Sequence, residues 1–183
     1  WCLAMTASAL IVIDMQLGSF TDASLRHDAD GLVVRLNSLA ARVRRSGGQV
    51  IFIRHDGPVG DPHHPTQPGW HLLPALAVHA DDRIIAKTAC DSFLDTDLGD
   101  VLVAHAIDHL IITGCATDYC VDTTVRSALA RGYRTTAPSD GHTTADRPHL
   151  RAQQIIGHHN AIWADFIAPG GPALVCPCDQ ITP

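Results

Sequence analysis

The chain has 183 residues, a length that fits one globular domain of ordinary size. Its residues are 46% hydrophobic and 17% charged, so it can bury a sizeable core, and this composition excludes an intrinsically disordered chain. Thirteen Lys and Arg against 19 Asp and Glu give a formal net charge of −6. Because no basic patch is longer than Arg42, Arg44 and Arg45, nucleic acid is not expected as a partner.

The beginning of the chain carries no clear targeting signal. Residues 1–5 lack the basic leading segment of a signal peptide, and residues 1–7 are predicted to be a disordered or vector-derived end of a single domain spanning 1–183. No apolar run approaches the roughly 18 residues that a membrane span needs. The six cysteines lack the regular spacing of a secreted disulfide framework, so we expect free thiols and a cytoplasmic location.

Short, β-rich apolar runs alternate with stretches of helical period along the chain. Six runs are predicted as strands, at residues 9–15, 49–55, 83–86, 109–113, 133–137 and 173–176. This alternation is typical of a parallel sheet covered by helices on both faces. The sequence therefore predicts an α/β fold.

The helices are predicted from apolar residues three and four positions apart. The clearest lies between the first two strands, with Asp30 as a possible N-cap and Gly47 just past its end. Others are expected near 98–102, between 118 and 132, and over about 146–161. The segment 57–69 holds four prolines and three glycines, so we predict an ordered loop there, of the kind that often shapes a site.

Polar side chains at the carboxyl ends of the predicted strands are the first candidates for a functional site, because ligands of open parallel sheets bind at that edge. Asp14 ends the first apolar strand, Lys87 follows the third, and Cys120 lies beyond the fourth, at the start of a helix. We expect all three to converge.

Cys120 is the candidate nucleophile. Asp118 is a natural N-cap, which would place the thiol in the first helical turn, where free N–H groups stabilise a thiolate. Lys87 nearby would lower the pKa of the thiol further, and Asp14 could accept its proton and later return it to a leaving group. Taken singly, each residue also has a plain structural explanation as a helix-start residue, a turn cap or a surface charge.

Three stretches together resemble the isochorismatase-like cysteine hydrolases, the family that includes nicotinamidases and N-carbamoylsarcosine amidase. They are ALIVIDMQ at 9–16, IAK at 85–87 with the segment 92–98 after it, and ITGCATDYCV at 112–121. The resemblance implies a three-layer α/β/α fold with a six-stranded parallel sheet in the order 3-2-1-4-5-6. It also implies a catalytic triad of Asp14, Lys87 and Cys120.

The same resemblance implies a mechanism and a backbone feature. The Cys120 thiolate attacks an amide-type carbonyl, the backbone N–H groups of Ala116 and Cys120 hold the oxyanion, and Asp14 carries the proton. Relatives have a non-proline cis peptide on the pair that matches Cys115 and Ala116. Isochorismatases proper lack the cysteine, so Cys120 favours hydrolysis of a C–N bond over a vinyl ether.

One motif of the family is incomplete. Nicotinamidases bind a metal through an Asp-x-His motif after the second strand, with two further histidines; here Asp56 matches the aspartate, but Pro58 stands in place of the first histidine. His63, His64 and His71 remain in the following loop. We expect no metal and no other cofactor, and the missing ligand argues against nicotinamide as the substrate.

Apolar and aromatic residues near the three strand ends are predicted to form the walls of a substrate pocket. They are Phe20, Trp70, Phe93, Tyr119 and His142, although buried aromatic residues are more often plain core. Cys115 is expected to be a packing residue.

The sequence thus predicts a cysteine-dependent hydrolase that cleaves a C–N bond of a small amide or carbamoyl substrate through a thioester. Two alternatives remain open: a hydrolase of a non-amide substrate such as an ester, and a non-catalytic thiol redox or ligand-binding protein. We expect a small molecule as the partner, no nucleic acid or membrane, and a homo-oligomer, because relatives often form one.

Overall fold

The computed structural model describes residues 7–21 and 25–183. The expectation for the first six residues lies outside the described residues, while residue 7 already begins a strand. The strands are β1 (Ala7–Ile13), β2 (Gln49–His55), β3 (Arg83–Lys87), β4 (Ile107–Cys115), β5 (Arg134–Thr136) and β6 (His142–Thr143). The α-helices are α1 (Ala29–Arg45), α2 (Leu98–Ala104), α3 (Asp122–Ala130) and α4 (Ala152–Ala164).

The strands form one six-stranded sheet in which every named pair is parallel. Five strands follow the order β3-β2-β1-β4-β5, and β6 pairs with the end of β4 beyond the last residue of β5. The prediction of an α/β/α fold with a six-stranded parallel sheet is therefore confirmed.

The sixth strand, however, is not the segment 173–176 that the sequence indicated. That segment runs beside β5 and makes one isolated parallel bridge, from Leu174 to Thr136, together with three backbone hydrogen bonds, but it forms no strand of its own. The actual β6 is the polar pair His142 and Thr143, which no apolar run marks.

Helices cover the sheet on both faces because the strand side chains alternate between them. One core cluster packs Leu10 and Val12 of β1 against α1, and the other packs Ile11 of β1 against α2, α3 and Trp163 of α4. The carboxyl ends of the strands lie at one edge, between these two layers. None of the described helices combines the length and the apolar character that crossing a membrane requires.

Two helix starts differ from the predicted ones. The residue before α1 is Asp28 rather than Asp30. Helix α4 begins at Ala152 rather than at Asp146, whose Oδ1 instead accepts the N–H of Ala152 at 2.8 Å. The Asp146 carboxylate thus binds a free N–H group at the start of α4, whereas the Asp28 carboxylate makes no cap and pairs with Arg35 at 2.8 Å.

Candidate active site

Asp14 directly follows β1, at the carboxyl edge of the sheet. Its N–H donates to the carbonyl of Ile53 in β2 at 2.9 Å, and its φ of 48° lies in the left-handed region, which is uncommon for a residue with a side chain. Such backbone conformations cluster at functional sites. The Asp14 side chain is 8% exposed.

Lys87, the last residue of β3, brings the three predicted residues together. Its side chain is 0% exposed, and Nζ donates to Asp14 Oδ2 at 2.7 Å and to Cys120 Sγ at 3.3 Å. The predicted convergence of Asp14, Lys87 and Cys120 is thus confirmed.

Cys120 is placed by a break between β4 and α3. The peptide bond from Cys115 to Ala116 is cis, as the family resemblance implied, and Thr117–Val121 then form a π-helical turn closed by a bond from Val121 N–H to the Ala116 carbonyl at 3.2 Å. Single π-helical turns are frequent at functional sites.

Gly114 makes this break sterically possible. Its φ is 116°, and a Cβ at this position would lie 2.1 Å from the carbonyl oxygen of Ile13 in the neighbouring strand. Only glycine allows β4 to approach β1 this closely just before the turn that carries Cys120.

The role of Asp118 differs from the prediction. The N-cap position before the π-helical turn belongs to Ala116, which supplies no side-chain cap. The carboxylate of Asp118 instead accepts two bonds from Arg147, at 2.8 and 3.0 Å, and one from Thr144 at 2.6 Å. These contacts keep the pKa of Asp118 low although burial alone would raise it.

The electrostatics of the buried cluster favour a protonated thiol. Burial lowers the pKa of Lys87, but the adjacent Asp14 and Cys120 outweigh it and raise that pKa, so the ammonium stays charged. Burial and the Asp14 carboxylate raise the pKa of Cys120 more strongly than Lys87 lowers it. Lys87 thus lowers the pKa of the thiol, as expected, but the net shift is upward because burial and Asp14 outweigh it.

Asp14 has a free position for a proton. Its Oδ2 is bonded to Lys87, whereas Oδ1 is buried and has no hydrogen-bond partner within the described part of the chain. A buried carboxylate oxygen without a donor is costly, and a proton arriving there would relieve that cost. Asp14 is thus suited to accept a proton while Lys87 holds it in place.

Asp14 and Cys120 line a cavity of about 500 Å³, a size that suits a small molecule, while Lys87 is buried against both residues. Asp14, Ala116 and Cys120 all line it, so the two residues predicted for the oxyanion hole face the same space as the nucleophile.

Of the five predicted pocket residues, only Tyr119 lines this cavity. Phe20 lines a separate cavity of about 320 Å³. Phe93 is buried and stacks on Tyr133, and His142 is buried, with its ring nitrogens bonded to Thr117 and Asn160. Trp70 donates its indole N–H to Asp56 at 2.6 Å and lies under the guanidinium of Arg54. None of these four rings lines the cavity beside Cys120.

The loop that carries His63 and His64 does not form the metal site that the nicotinamidase motif describes. His63 uses both ring nitrogens, one with Asp61 Oδ1 and one with Ser19 Oγ, each at 2.9 Å. His64 is bonded to Thr66. Within residues 7–21 and 25–183, no three His, Cys, Asp or Glu side chains are grouped to hold a metal ion.

Sequence reasoning missed several polar residues of the cavity wall. Ser19, Arg26, His55 and Arg147 all line it, and His63, considered only as a metal ligand, does too. His55 is the last residue of β2, and the others come from segments between strands, where no periodicity fixes the side-chain direction. Burial and the nearby Lys87 lower the pKa of His55, so its imidazole remains neutral.

The remaining cysteines differ in setting. Cys115 is buried, and burial raises its pKa to about 12, in accord with a packing role. Every cysteine in the described residues is a free thiol, as predicted.

The chain combines a three-layer α/β/α domain with a Cys, Asp and Lys cluster at the carboxyl edge of the sheet, and comparisons with known proteins identify its family. Residues 8–159 match the family described as the isochorismatase domain. A solved structure of an isochorismatase family protein superposes with a TM-score of 0.85 at 32% identity, over 94% of this chain and 99% of that one. The chain belongs to the isochorismatase family.

Two relatives carry names that describe an activity. A streptothricin hydrolase from Streptomyces noursei is 35% identical over 76% of this chain and 56% of its own length. The ureidoacrylate amidohydrolase RutB from Variovorax paradoxus is 28% identical over 69% of this chain and 64% of its own. A second streptothricin hydrolase is matched over 51% of its length, so the chain spans about half the length of these first relatives.

Proposed function

We propose that the protein is a cysteine-dependent hydrolase that cleaves the C–N bond of a small amide or carbamoyl substrate through a thioester on Cys120. The carrying observation is the Lys87 ammonium bonded to both Asp14 and Cys120 beside a cavity of about 500 Å³. Nucleophile, base and cation are together, and a substrate carbonyl has room to approach.

In the first step, Cys120 Sγ attacks the substrate carbonyl carbon while its proton passes to Asp14. Burial and the Asp14 carboxylate raise the pKa of Cys120, so the sulfur needs Asp14 nearby to take its proton as it attacks. The positive charge of Lys87 stabilises the sulfur as it loses the proton. The N–H groups of Ala116 and Cys120 hold the oxyanion of the tetrahedral intermediate.

In the second step, the intermediate collapses. Asp14 gives its proton to the departing nitrogen, the C–N bond breaks, and ammonia or an amine leaves while the acyl group stays on Cys120 as a thioester.

In the last step, a water molecule attacks the thioester. Asp14 takes the proton of that water, the C–S bond breaks, and the carboxylic acid is released as the proton returns to the sulfur of Cys120. Asp14 therefore acts in turn as base, acid, base and acid, and Lys87 is bonded to its other oxygen.

The names of the relatives support this chemistry. One is an amidohydrolase and another a hydrolase, and each matches more than two thirds of this chain. No step is assigned to a metal, because both ring nitrogens of His63 are engaged within the protein.

The test is ammonia release from a panel of small amides, ureides and carbamoyl compounds, with activated esters of matched acids run in parallel. The purified wild-type chain is expected to release ammonia from a subset of the panel, and Cys120→Ala from none. Ester cleavage without any amide cleavage would show the non-amide alternative to be correct. Equal rates with Cys120→Ala would contradict the nucleophile assignment.

A further inference from the structure

The charges of the cavity wall do not cancel. Two cations of the site have a carboxylate partner: Lys87 is paired with Asp14, and Arg147 with Asp118. Arg26 also lines the cavity. Within residues 7–21 and 25–183, it forms no ion pair with any carboxylate.

Asp61, two residues before the cavity residue His63, is engaged within its own loop. Asp61 Oδ1 accepts both the backbone N–H of His63, at 2.7 Å, and a bond from its ring, at 2.9 Å. These bonds lower the pKa of Asp61 and tie the carboxylate to the loop. Among the described residues, no carboxylate therefore pairs with Arg26, and its positive charge can meet a molecule that enters the cavity.

Arg26 is held in position by its surroundings. Its backbone pairs with Ala145, and the N–H of the next residue, His27, donates to the Thr144 carbonyl at 2.9 Å. The Arg26 Nε donates to the carbonyl of Ser19, another cavity residue, at 2.8 Å. One edge of the guanidinium is thus fixed, and the terminal nitrogens have no hydrogen bond within the described residues.

We propose that Arg26 binds a carboxylate of the substrate, so that the enzyme selects small amides that carry an anionic group away from the scissile bond. A guanidinium suits this task because it presents parallel N–H donors that match a carboxylate. Charge-assisted bonds in a partly enclosed cavity are stronger than those on an open surface. This proposal rests on the proposed function, since it names the substrate class of the same site.

The test uses binding to Cys120→Ala, which cannot turn over by the proposed route. Three probes differ only in the terminal charge: succinamate is an anion, butanamide is neutral and β-alaninamide is a cation. Malonamate and glutaramate vary the distance between amide and carboxylate. Isothermal titration calorimetry is expected to rank the anion first and the cation last, and added salt should narrow the difference.

The second measurement assigns this preference to Arg26. Arg26→Gln, in the Cys120→Ala background, is expected to weaken binding of the best anionic amide by about 10- to 100-fold while leaving butanamide unchanged. Arg26→Lys should restore part of the loss, because the charge returns without the paired donors. Arg45→Gln is the matched control, since it removes the same charge from an exposed position at the end of α1.

The outcomes separate the two proposals. Equal, reversed or unmeasurable binding of the three probes contradicts the carboxylate site, as does an unchanged ranking in Arg26→Gln, even if wild-type enzyme releases ammonia. A clear preference for the anion that Arg26→Gln abolishes supports the site, even if no probe is hydrolysed. Absence of hydrolysis would contradict the proposed function and leave the carboxylate site standing.

Discussion

Lys87 is an ammonium group with no exposed side-chain surface, held between an Asp carboxylate at 2.7 Å and a Cys sulfur at 3.3 Å. A buried ion pair is weak evidence for stability, because the desolvation of two charges offsets their attraction. Its presence at the cavity that holds Cys120 is better explained by chemistry that needs a fixed charge.

Lys87→Met should therefore damage the fold as well as the reaction. It leaves Asp14 buried without its cation, which is expected to lower the free energy of unfolding by about 3–5 kcal/mol. In Asp14→Asn with Lys87→Met no charge is left unpaired, so much of that stability should return while ammonia release stays absent. Urea denaturation and the ammonia assay measure the two effects. A double variant no more stable than Lys87→Met would contradict this account of the pair.

Cys120→Ser tests the nucleophile. We expect at least about a thousandfold loss of turnover, because a hydroxyl beside the same base is a much weaker nucleophile. Its melting temperature should stay close to that of the wild type. Cys176→Ser is the control, since that thiol lies outside the cavity lining, and it should keep full activity.

His142 and His109 predict how stability depends on pH. Burial lowers the pKa of each to about 4, below the value of about 6.5 for an unfolded histidine. Between these values the unfolded chain binds more protons than the folded one, so the free energy of unfolding should fall as the pH drops from 6.5 to 4. Each residue contributes up to roughly 3 kcal/mol to this loss.

His142→Gln should flatten that dependence in urea denaturation at stepped pH values. His64→Gln, on the exposed part of the loop, is the control and should leave the slope unchanged. An unchanged slope in His142→Gln would show that this imidazole is not buried in its neutral form.

At the scale of elements, the apolar runs predicted the central strands well. The run that ends at Asp14 and the one at 49–55 became β1 and β2, because a strand buried on both faces has to be apolar throughout. Strand β6 could not be predicted in this way. His142 and Thr143 are polar, and they form a strand only because the end of β4 offers an unpaired edge.

The position of the turn after β4 was predicted correctly, but its π-helical conformation was not. Helical period indicated a helix carrying Cys120, and a π-helical turn followed by α3 is present. The thiol pKa could not be predicted, because it depends on how deeply three distant segments bury one another. Burial, together with the charge of Asp14 106 positions earlier in the chain, raises the pKa of Cys120 more than Lys87 lowers it.

Gly114→Ala tests the close approach of β4 to β1. Its Cβ would collide with the Ile13 carbonyl, so we expect a loss of more than about 3 kcal/mol or failure to fold. Gly157→Ala is the matched control, because a Cβ there meets nothing within 4 Å and the position lies inside α4. It should stabilise the protein by about 0.5–1 kcal/mol in urea denaturation. Equal effects of the two variants would contradict the steric argument.

At the scale of the whole molecule, the catalytic cluster could be predicted from the sequence, whereas most of the cavity wall could not. Strand ends fix where Asp14 and Lys87 lie, so topology alone brings them together. The wall comes from loops, and aromatic residues such as Phe93 proved to be core because packing, rather than the site, decides where they point. Arg26 carries no periodic signal, and only the folded chain shows it facing the cavity.

The central claim is that a thioester forms on Cys120. The most direct measurement is acid quenching of wild-type enzyme during turnover of its best amide, followed by peptide mass spectrometry. A mass increase equal to the acyl group is expected on the peptide that contains Cys120, removed by hydroxylamine and absent in Cys120→Ser. Sustained ammonia release with no acyl group on Cys120, together with wild-type turnover by Cys120→Ser, would contradict it.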